Sequence, residues 1–527
     1  MTSTPSAVQV RDDFRDFLLT MAGEYSRFPS LRTEEKKLAE LAASLVNPFT
    51  LAVFGYMKTG KSTLINALIG KSLAIIDTDE ATATLNWIVY GDENQEKDFL
   101  IHWKERHPEA MPVAALKQWA GKSPEVLEQI RQITHLQLFA CSDLVKDIQI
   151  VDTPGIGTVE VQHIEAAVSI LSAEEGRKAD ALLYVLNYEA KESDMEKLKE
   201  FSKTRLPASD PYNSIGVLHL WDGLESEDPY AKAVEKAAAH YKTFKNVVCD
   251  IIPVSAPLAL VARHAPCEFL TTLIDLVKKG VSSDDLLNST LWDEDADRRF
   301  ARKLYLDIPW VSFAFLIRIL ITKSPGTFSE AQKFCLEASG IERLEKELDR
   351  RFFLNAAIIK QRLTRVKAME PIKRGDLFFN ERIELLASDE RHFRDLVAET
   401  PKGNKHAAWI ADKHSQMGKE RSELEEIAEN ANRICLAEGE RMDLLEKDLK
   451  FLEQMDKKPG FVEKTDTEWI LNLLRQESIN DESETIPREG LKAMIARYQH
   501  QLQGPLASNR ELFEHLIRRI QERLREV

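Results

Sequence analysis

The residues whose types and spacing suit chemistry stand together at Gly55-Tyr56-Met57-Lys58-Thr59-Gly60-Lys61-Ser62, which fits G-x-x-x-x-G-K-[ST]. A pattern this short occurs by chance, so its flanks decide its meaning. Before it runs Thr50–Phe54, apolar and β-branched as a buried strand requires. After it Leu64, Ile65, Leu68 and Ile69 recur at helical spacing, and Gly70 marks a stop. In a strand–loop–helix, the backbone N–H groups of Gly55, Thr59, Gly60, Lys61, Ser62 and Thr63 converge on phosphate oxygens at the positive end of a helix dipole. Lys61 then reaches the β- and γ-phosphates, and the Ser62 hydroxyl ligates Mg²⁺. The residues predict a nucleoside triphosphate site; the alternative is an ordinary strand–turn–helix with a glycine-rich turn.

Such a site needs a second metal ligand and a sensor of the γ-phosphate. Asp152-Thr153-Pro154-Gly155 directly follows the apolar run Ile148–Val151. An Asp at the end of a parallel strand holds Mg²⁺ through water, and the Gly155 N–H bonds the γ-phosphate. Losing that phosphate then releases the loop, an order–disorder switch. Between the two motifs lies Ile76–Thr84, with threonines at 78, 82 and 84. One of them is expected to complete the Mg²⁺ shell and position the attacking water. No residue announces a general base, as befits phosphoryl transfer, where positioning and electrostatics lower the barrier.

The elements that must hold these residues alternate in type. Candidate strands are Thr50–Phe54, Leu85–Tyr90, Leu136–Phe139, Ile148–Val151, Ala181–Leu186, Ile215–Leu220 and Val247–Val254, with helical segments between them. That rhythm predicts an α/β P-loop domain with a mostly parallel sheet and helices on both faces. It spans about 49–355, with a helical insertion over about 267–337 that contains the acidic run Asp293–Asp297. Residues 1–48 are expected to form a helical pair or a kinked helix around Pro29.

From 356 to 527 the pattern is helical. Pro371 and Gly375 are expected to break the first helix, and Pro401-Lys402-Gly403-Asn404 makes a turn within about 399–404. The next helix carries Leu424, Ile427, Ala431, Ile434, Met442, Leu445, Leu449 and Leu452 on one face, up to Pro459-Gly460. Two shorter helices follow, about Arg488–Gln503 and Asn509–Glu526. Helices of some fifty residues reach roughly 75 Å, which predicts an antiparallel neck and stalk; broken helices would give a compact bundle instead.

Composition narrows the partners. Hydrophobic residues make up 43% and charged residues 30%, and the net charge is −15. That balance argues against nucleic acid as a partner and against broad attraction to anionic lipid. The five cysteines are scattered and never C-x-x-C, which fits reduced thiols in a cytoplasmic setting. Met1–Phe14 is too polar for a secretory signal. The densest apolar window, Ile308–Ile321, contains Arg318 and is too short to span a bilayer; it reads as a core helix, with a shallow membrane contact as the alternative.

The run Gly55–Gly70, the threonine segment closing on Tyr90-Gly91, and Val151–Gly157 resemble the dynamin superfamily, in particular its bacterial dynamin-like proteins. The resemblance implies a GTPase that binds GTP–Mg²⁺ and hydrolyses it to GDP and phosphate. It implies self-association through the GTPase domain, dynamin-like partner subunits, stalk movement, and membrane remodelling or vesicle-linked secretion by a cytoplasmic protein peripheral to the membrane. A branch associated with toxin secretion is similar in its short, paddle-poor tip. Here that tip offers Lys402, Lys405, His406 and Trp409.

Counted back from Tyr90-Gly91, the family's catalytic threonine falls on Thr82, with Glu80-Ala81 where Pro-Thr is usual and Thr84 as the second candidate. The family's base-recognition motif, Asn/Thr-Lys-x-Asp, here reads His219-Leu220-Trp221-Asp222. Asp222 fits the role of bonding the guanine N1 and N2 hydrogens, whereas His219 and Leu220 depart from the pattern. Pro253-Val254-Ser255-Ala256 resembles the strand-end motif whose backbone touches the base, which assigns Ser255 and Ala256 there. Met57-Lys58 stands where dynamins carry Gln-Ser, the serine of which helps hold a monovalent cation. The Lys58 ammonium either supplies that charge or is simply solvated. Three readings stay open: a GTPase, an assembly scaffold that binds nucleotide with little hydrolysis, and an ATP-using relative.

Overall fold

A computed structural model describes residues 7–56, 59–71, 73, 85–120, 132–153, 179–188, 213–219, 221–222, 224, 228–280, 309–401, 403–457, 461–475, 488–502 and 509–526. The chain divides into two units, 48–356 and 1–47 with 357–527. Of the expected elements, the acidic run Asp293–Asp297, the pair Pro459-Gly460 and residue Lys402 lie outside the described residues.

The chain enters through α1 (Ala7–Tyr25) and α2 (Arg32–Ser44), separated by a short 3-10 turn at Pro29–Leu31. Pro29 fits that turn because its fixed φ suits a first helical position. The N-terminal segment is therefore a helical pair.

The first unit follows, built on β1 (Phe49–Gly55), α3 (Lys61–Ile69), β2 (Asn86–Tyr90), β3 (Asp98–Trp103), β4 (Glu109–Pro112), β5 (Ile133–Ala140), β6 (Ile148–Asp152), β7 (Ala181–Asn187) and β8 (Ser214–His219). It continues with α4 (Pro229–Phe244), β9 (Ile251–Pro253), α5 (Ala256–His264), α6 (Cys267–Lys278), α7 (Trp310–Lys323), α8 (Phe328–Ser339) and α9 (Ile341–Leu348). The nine strands form one sheet in the order β4-β3-β5-β2-β6-β1-β7-β8-β9. From β6 through β9 every pairing is parallel, and β1, β7 and β8 are almost wholly buried, as strands covered on both faces should be. Beyond β6 the sheet turns mixed: β2 runs antiparallel to β6, and β3 antiparallel to β5 and β4.

Three expectations change here. β3 and β4 are strands that the apolar runs did not mark, since β4 is an edge strand with no buried position and ends on Pro112. The expected strand Val247–Val254 shrinks to β9. The described part of the insertion belongs to the main core: Phe269, Leu273, Phe315, Leu316, Leu320 and Cys335 of α6–α8 are buried with Phe54, Tyr184 and Leu218 of the sheet. α7 takes up the dense apolar window from Trp310 onward and is a core helix. No single helix among the described residues is long and apolar enough to cross a membrane. Among the described residues no disulfide joins the cysteines; Cys267 is exposed, and burial pushes the Cys335 thiol up to about 12.

The second unit joins α1 and α2 to α10 (Ala356–Glu399), α11 (Ala407–Lys457), α12 (Thr467–Arg475), α13 (Arg488–Gln501) and α14 (Arg510–Glu526). α10 and α11 have 44 and 51 residues. At 1.5 Å per residue they are about 66 and 77 Å long. They run antiparallel about the turn at Pro401, as paired contacts show: Arg382–Glu420 at 2.9 Å, Arg421–Glu390 at 2.8 Å, and the Phe393 and Trp409 rings 6.1 Å apart. Phe14, Leu18, Tyr25 and Leu38 pack with Ile372, Phe379 and Leu386 of α10 and with Leu424, Ala428 and Ala431 of α11. Farther along α11, Leu445, Leu449 and Leu452 are buried, and Phe451 meets Phe513 of α14. α12 is a further helix that the sequence pattern did not mark.

The expected break at Pro371–Gly375 does not occur: α10 runs through both residues. Proline removes the helix hydrogen bond to the carbonyl four residues back, and the helix nonetheless continues, with α1 packed against it just beyond. Tyr25 Oη donates to the Ile372 carbonyl at 3.3 Å, and Gly375 leaves room for the ring, since a Cβ there would lie 1.9 Å from Tyr25 Oη. Gly375→Ala is therefore expected to destabilise this unit by about 1–3 kcal/mol through overpacking. Differential scanning calorimetry would show its unfolding midpoint falling by several degrees. An unchanged midpoint would contradict the seating of Tyr25 against Gly375.

Candidate nucleotide-binding site

β1 carries the chain into the loop at Gly55, and α3 starts at Lys61, so strand, glycine loop and helix follow in the required order. Thr59 Oγ1 donates to the Tyr56 carbonyl at 2.8 Å, closing the loop on itself. Gly60 has a φ of 84°, a left-handed conformation that favours glycine. Lys61 is buried, and its Nζ donates to the carbonyls of Tyr56 at 3.1 Å and Gly55 at 3.4 Å. Burial pushes its ammonium below the usual lysine range, against the pull of Asp152. Ser62 and Thr63 lie in the first turn of α3, both half-buried.

Asp152 ends β6, opposite Val53 of β1 and Asn86 of β2, and is fully buried. Ser62 Oγ donates to its Oδ2 at 2.8 Å, while Oδ1 has no hydrogen-bond partner among the described residues. Burial raises the Asp152 carboxyl, and Lys61 and Ser62 act in the opposite sense. A buried carboxylate with a spare oxygen is costly unless something positive compensates it. The hydroxyl and carboxylate are hard oxygen donors of the kind that Mg²⁺ takes. The donor set fits that ion. Thr153 Oγ1 donates to the Val53 carbonyl at 2.8 Å and pins the chain as it leaves β6, a role the sequence did not suggest.

The other end of the site is built at the ends of β8 and β9. Trp221 is fully buried, its ring 5.4 Å from Tyr230 and 5.6 Å from Phe315. This wedge holds Asp222, also buried, beside Ser255, whose Oγ donates to Asp222 Oδ2 at 2.7 Å. Asp222 Oδ1 has no partner among the described residues. Ser255 also caps α5, accepting from the Leu258 N–H at 3.4 Å, and Ala256 is the first residue of that helix. His219 joins the two ends, packed against Gly60 and bonded to the Ala256 N–H at 3.3 Å.

The structure thus links Gly55, Thr59, Gly60, Lys61, Ser62 and Asp152 through one set of contacts, and Asp222, Ser255 and Ala256 through another. Lys58, Thr82, Thr84, Gly155 and Leu220 lie outside the described residues. The packing of His219 on Gly60 had no local signal in the sequence, because the two are distant in the chain.

The family model described as Dynamin family matches residues 51–219. This is a dynamin-family domain. The chain is similar to the isoniazid-induced protein IniC of Mycobacterium tuberculosis, 27% identical over 274 residues, or 51% of this chain and 53% of IniC. It is similar to the bacterial dynamin-like protein of Nostoc punctiforme, 33% identical over 126 residues, or 22% of this chain and 18% of that protein. The chain spans about half the length of IniC and less of the Nostoc protein. A solved oligomerised bacterial dynamin pair aligns with 98% of this chain and 86% of its own at 13% identity, with a TM-score of 0.36. Within the dynamin-family domain, the matched residues include the loop and Asp152 and stop at His219. Asp222, Ser255 and Ala256 lie past that limit.

Proposed function

We propose that the dynamin-family domain binds GTP with Mg²⁺ and hydrolyses it to GDP and phosphate, and that nucleotide state drives pairing of two such domains and rearrangement of the helical unit. The observation that carries this reading is the buried Asp152 carboxylate, bonded to Ser62 through one oxygen and left without a hydrogen-bond partner at the other among the described residues. On this reading Lys61 exchanges the loop carbonyls for β- and γ-phosphate oxygens, and the loop N–H groups orient the chain of phosphates. Ser62 and Asp152 would hold Mg²⁺, which when bound neutralises charge developing on those oxygens. We assign Thr82 to the Mg²⁺ shell and the attacking water, Gly155 to sensing the γ-phosphate, and Lys58 to charge compensation at the loop in place of a monovalent cation.

At the base end, the spare oxygen and the Ser255-bonded oxygen of Asp222 together suit the N1 and N2 hydrogens of guanine. Asp222→Asn is expected to weaken GTP binding about tenfold or more, the scale of a lost charged hydrogen bond. It should improve binding of xanthosine triphosphate, whose C2 carbonyl accepts from an amide. Competition with a fluorescent guanine nucleotide reads both effects, and an unchanged base preference would remove Asp222 from recognition.

Pairing of domains makes activity depend on mass action. Specific GTP hydrolysis by the full chain should rise with protein concentration and then level off, and a flat value over a hundredfold range would count against it. The same pairing, with dynamin-like partner subunits and a peripheral membrane contact near Lys405, His406 and the exposed Trp409, fits work in membrane remodelling or vesicle-linked secretion from the cytoplasm. A second reading, a nucleotide-binding scaffold with little hydrolysis, is favoured by His219 at the first position of the base motif.

A further inference from the structure

His219 occupies a place that no phosphate or base contact explains. A Cβ built on Gly60 would fall 2.5 Å from His219 Cε1 and 2.6 Å from Nδ1, so the imidazole edge fills the space a side chain would take. On its other side, Nε2 lies 3.3 Å from the Ala256 backbone N, at the start of α5. The backbone of His219 is itself held: it pairs with Asn187 of β7, and its carbonyl accepts from the Tyr188 N–H at 2.9 Å. The loop it bonds is held from behind, since the Ser255 N–H donates to the Ser339 carbonyl at 2.8 Å. One buried ring therefore touches the phosphate loop and the base loop at once, from a rigid strand end.

We propose that His219 is a positioning residue that clamps the phosphate loop to the base loop, so that both ends of a nucleotide meet a site of fixed spacing. The proposal rests on the nucleotide reading above and adds to it the residue that couples the two ends.

The chemistry of the ring agrees with this role. A backbone N–H only donates, so Nε2 must accept, and the ring is neutral with its proton on Nδ1. An imidazolium would place a second N–H against that of Ala256. Burial pushes His219 below its ordinary value and so keeps the accepting form, although Asp222 and the Thr59 backbone favour the charged one. A phenylalanine keeps the ring beneath Gly60 but offers no acceptor; an asparagine offers an acceptor but not the ring.

The test uses the full chain and four variants: His219→Ala, His219→Asn, Gly60→Ala, and His219→Ala combined with Gly60→Ala. Calorimetry gives GDP and GTP affinities, steady-state assays give KM and kcat, and melting without nucleotide gives the unfolding midpoint. His219→Ala should weaken GDP and GTP alike by about tenfold and raise KM, with kcat at saturation changed less than about twofold. Gly60→Ala should cost less in the His219→Ala background than alone, in affinity and in midpoint, because the ring it strikes is gone. The His219→Asn chain, with a small polar side chain, should melt cooperatively and show an intermediate loss, which guards against a variant that fails to fold. A drop in kcat with KM unchanged, or strictly additive midpoint losses, would overturn the clamp. A wild-type chain that binds neither GDP nor GTP would overturn the functional reading and the nucleotide role of His219 with it, whereas the midpoint cycle reads the Gly60 contact independently.

Discussion

Lys61→Ala is expected to remove nucleotide binding and to leave the folded chain about as stable as before. The expected loss is large because the Lys61 ammonium is the charged donor assigned to the β- and γ-phosphates, which the loop otherwise meets with backbone N–H groups. A hydrogen bond to a charged partner contributes about 1.5–3 kcal/mol, and two phosphates lose one each, so affinity should fall by roughly 10²–10⁴-fold. The small effect on stability follows from opposing terms. Lys61 is buried and held by the two carbonyls of Gly55 and Tyr56, and burial already disfavours its charge. Removing the side chain ends that desolvation cost but deprives the carbonyls of a donor; Tyr56 keeps Thr59. The two should cancel within about 1 kcal/mol. Titration calorimetry and melting curves on the same preparation check both halves. A variant that binds within a few-fold of wild type would show that the lysine does not face phosphate.

Asp152→Asn should act in opposite directions with and without ligand. The buried Asp152 carboxyl has one oxygen without a hydrogen-bond partner among the described residues, and burial holds its pKa above the ordinary 3.8. A raised folded value means that the folded state binds the proton more readily than the unfolded state. The carboxylate therefore costs stability above the unfolded value, and the cost is relieved as pH falls through the folded value. Asparagine keeps the shape, can still accept from Ser62, and carries no charge. The variant without ligand should be at least as stable as wild type at pH 7, and its advantage should shrink on acidification. With Mg²⁺ and nucleotide the order should reverse. Ligand at a hundred times Kd stabilises wild type by about 2.7 kcal/mol, and the variant should gain little of it. Thermal shift in four conditions, with each of Mg²⁺ and nucleotide present or absent, reads the crossing. Equal ligand-induced shifts in both proteins would take Asp152 out of the metal site.

What the sequence made legible was local. The phosphate loop announces itself because strand, glycines, lysine and helix sit in one short stretch, and Asp152 because it ends an apolar run. The base end was legible only as a departure from a pattern. The bond from Ser255 to Asp222 and the seat of His219 beneath Gly60 depend on bringing β1, β8 and β9 into one sheet, which no local pattern encodes. The same limit explains the elements that went otherwise. Pro371 reads as a helix break, yet α10 runs through it and seats Tyr25, from another helix, against Gly375. β4 has no buried position to produce an alternating pattern. α6 to α8 read as an insertion because they break the rhythm of strand and helix, yet their apolar faces complete the core of the sheet.

The most direct measurement is a calorimetric titration of the full chain with GTP, GDP and ATP in the presence of Mg²⁺, with Lys61→Ala as the control. The expected result is one guanine nucleotide bound per chain, ATP at least about tenfold weaker as expected for a base read by hydrogen bonds, and no binding to the variant. ATP binding as tight as GTP, or guanine nucleotide bound equally well without Lys61, would contradict a guanine site built on the loop, Asp152 and Asp222.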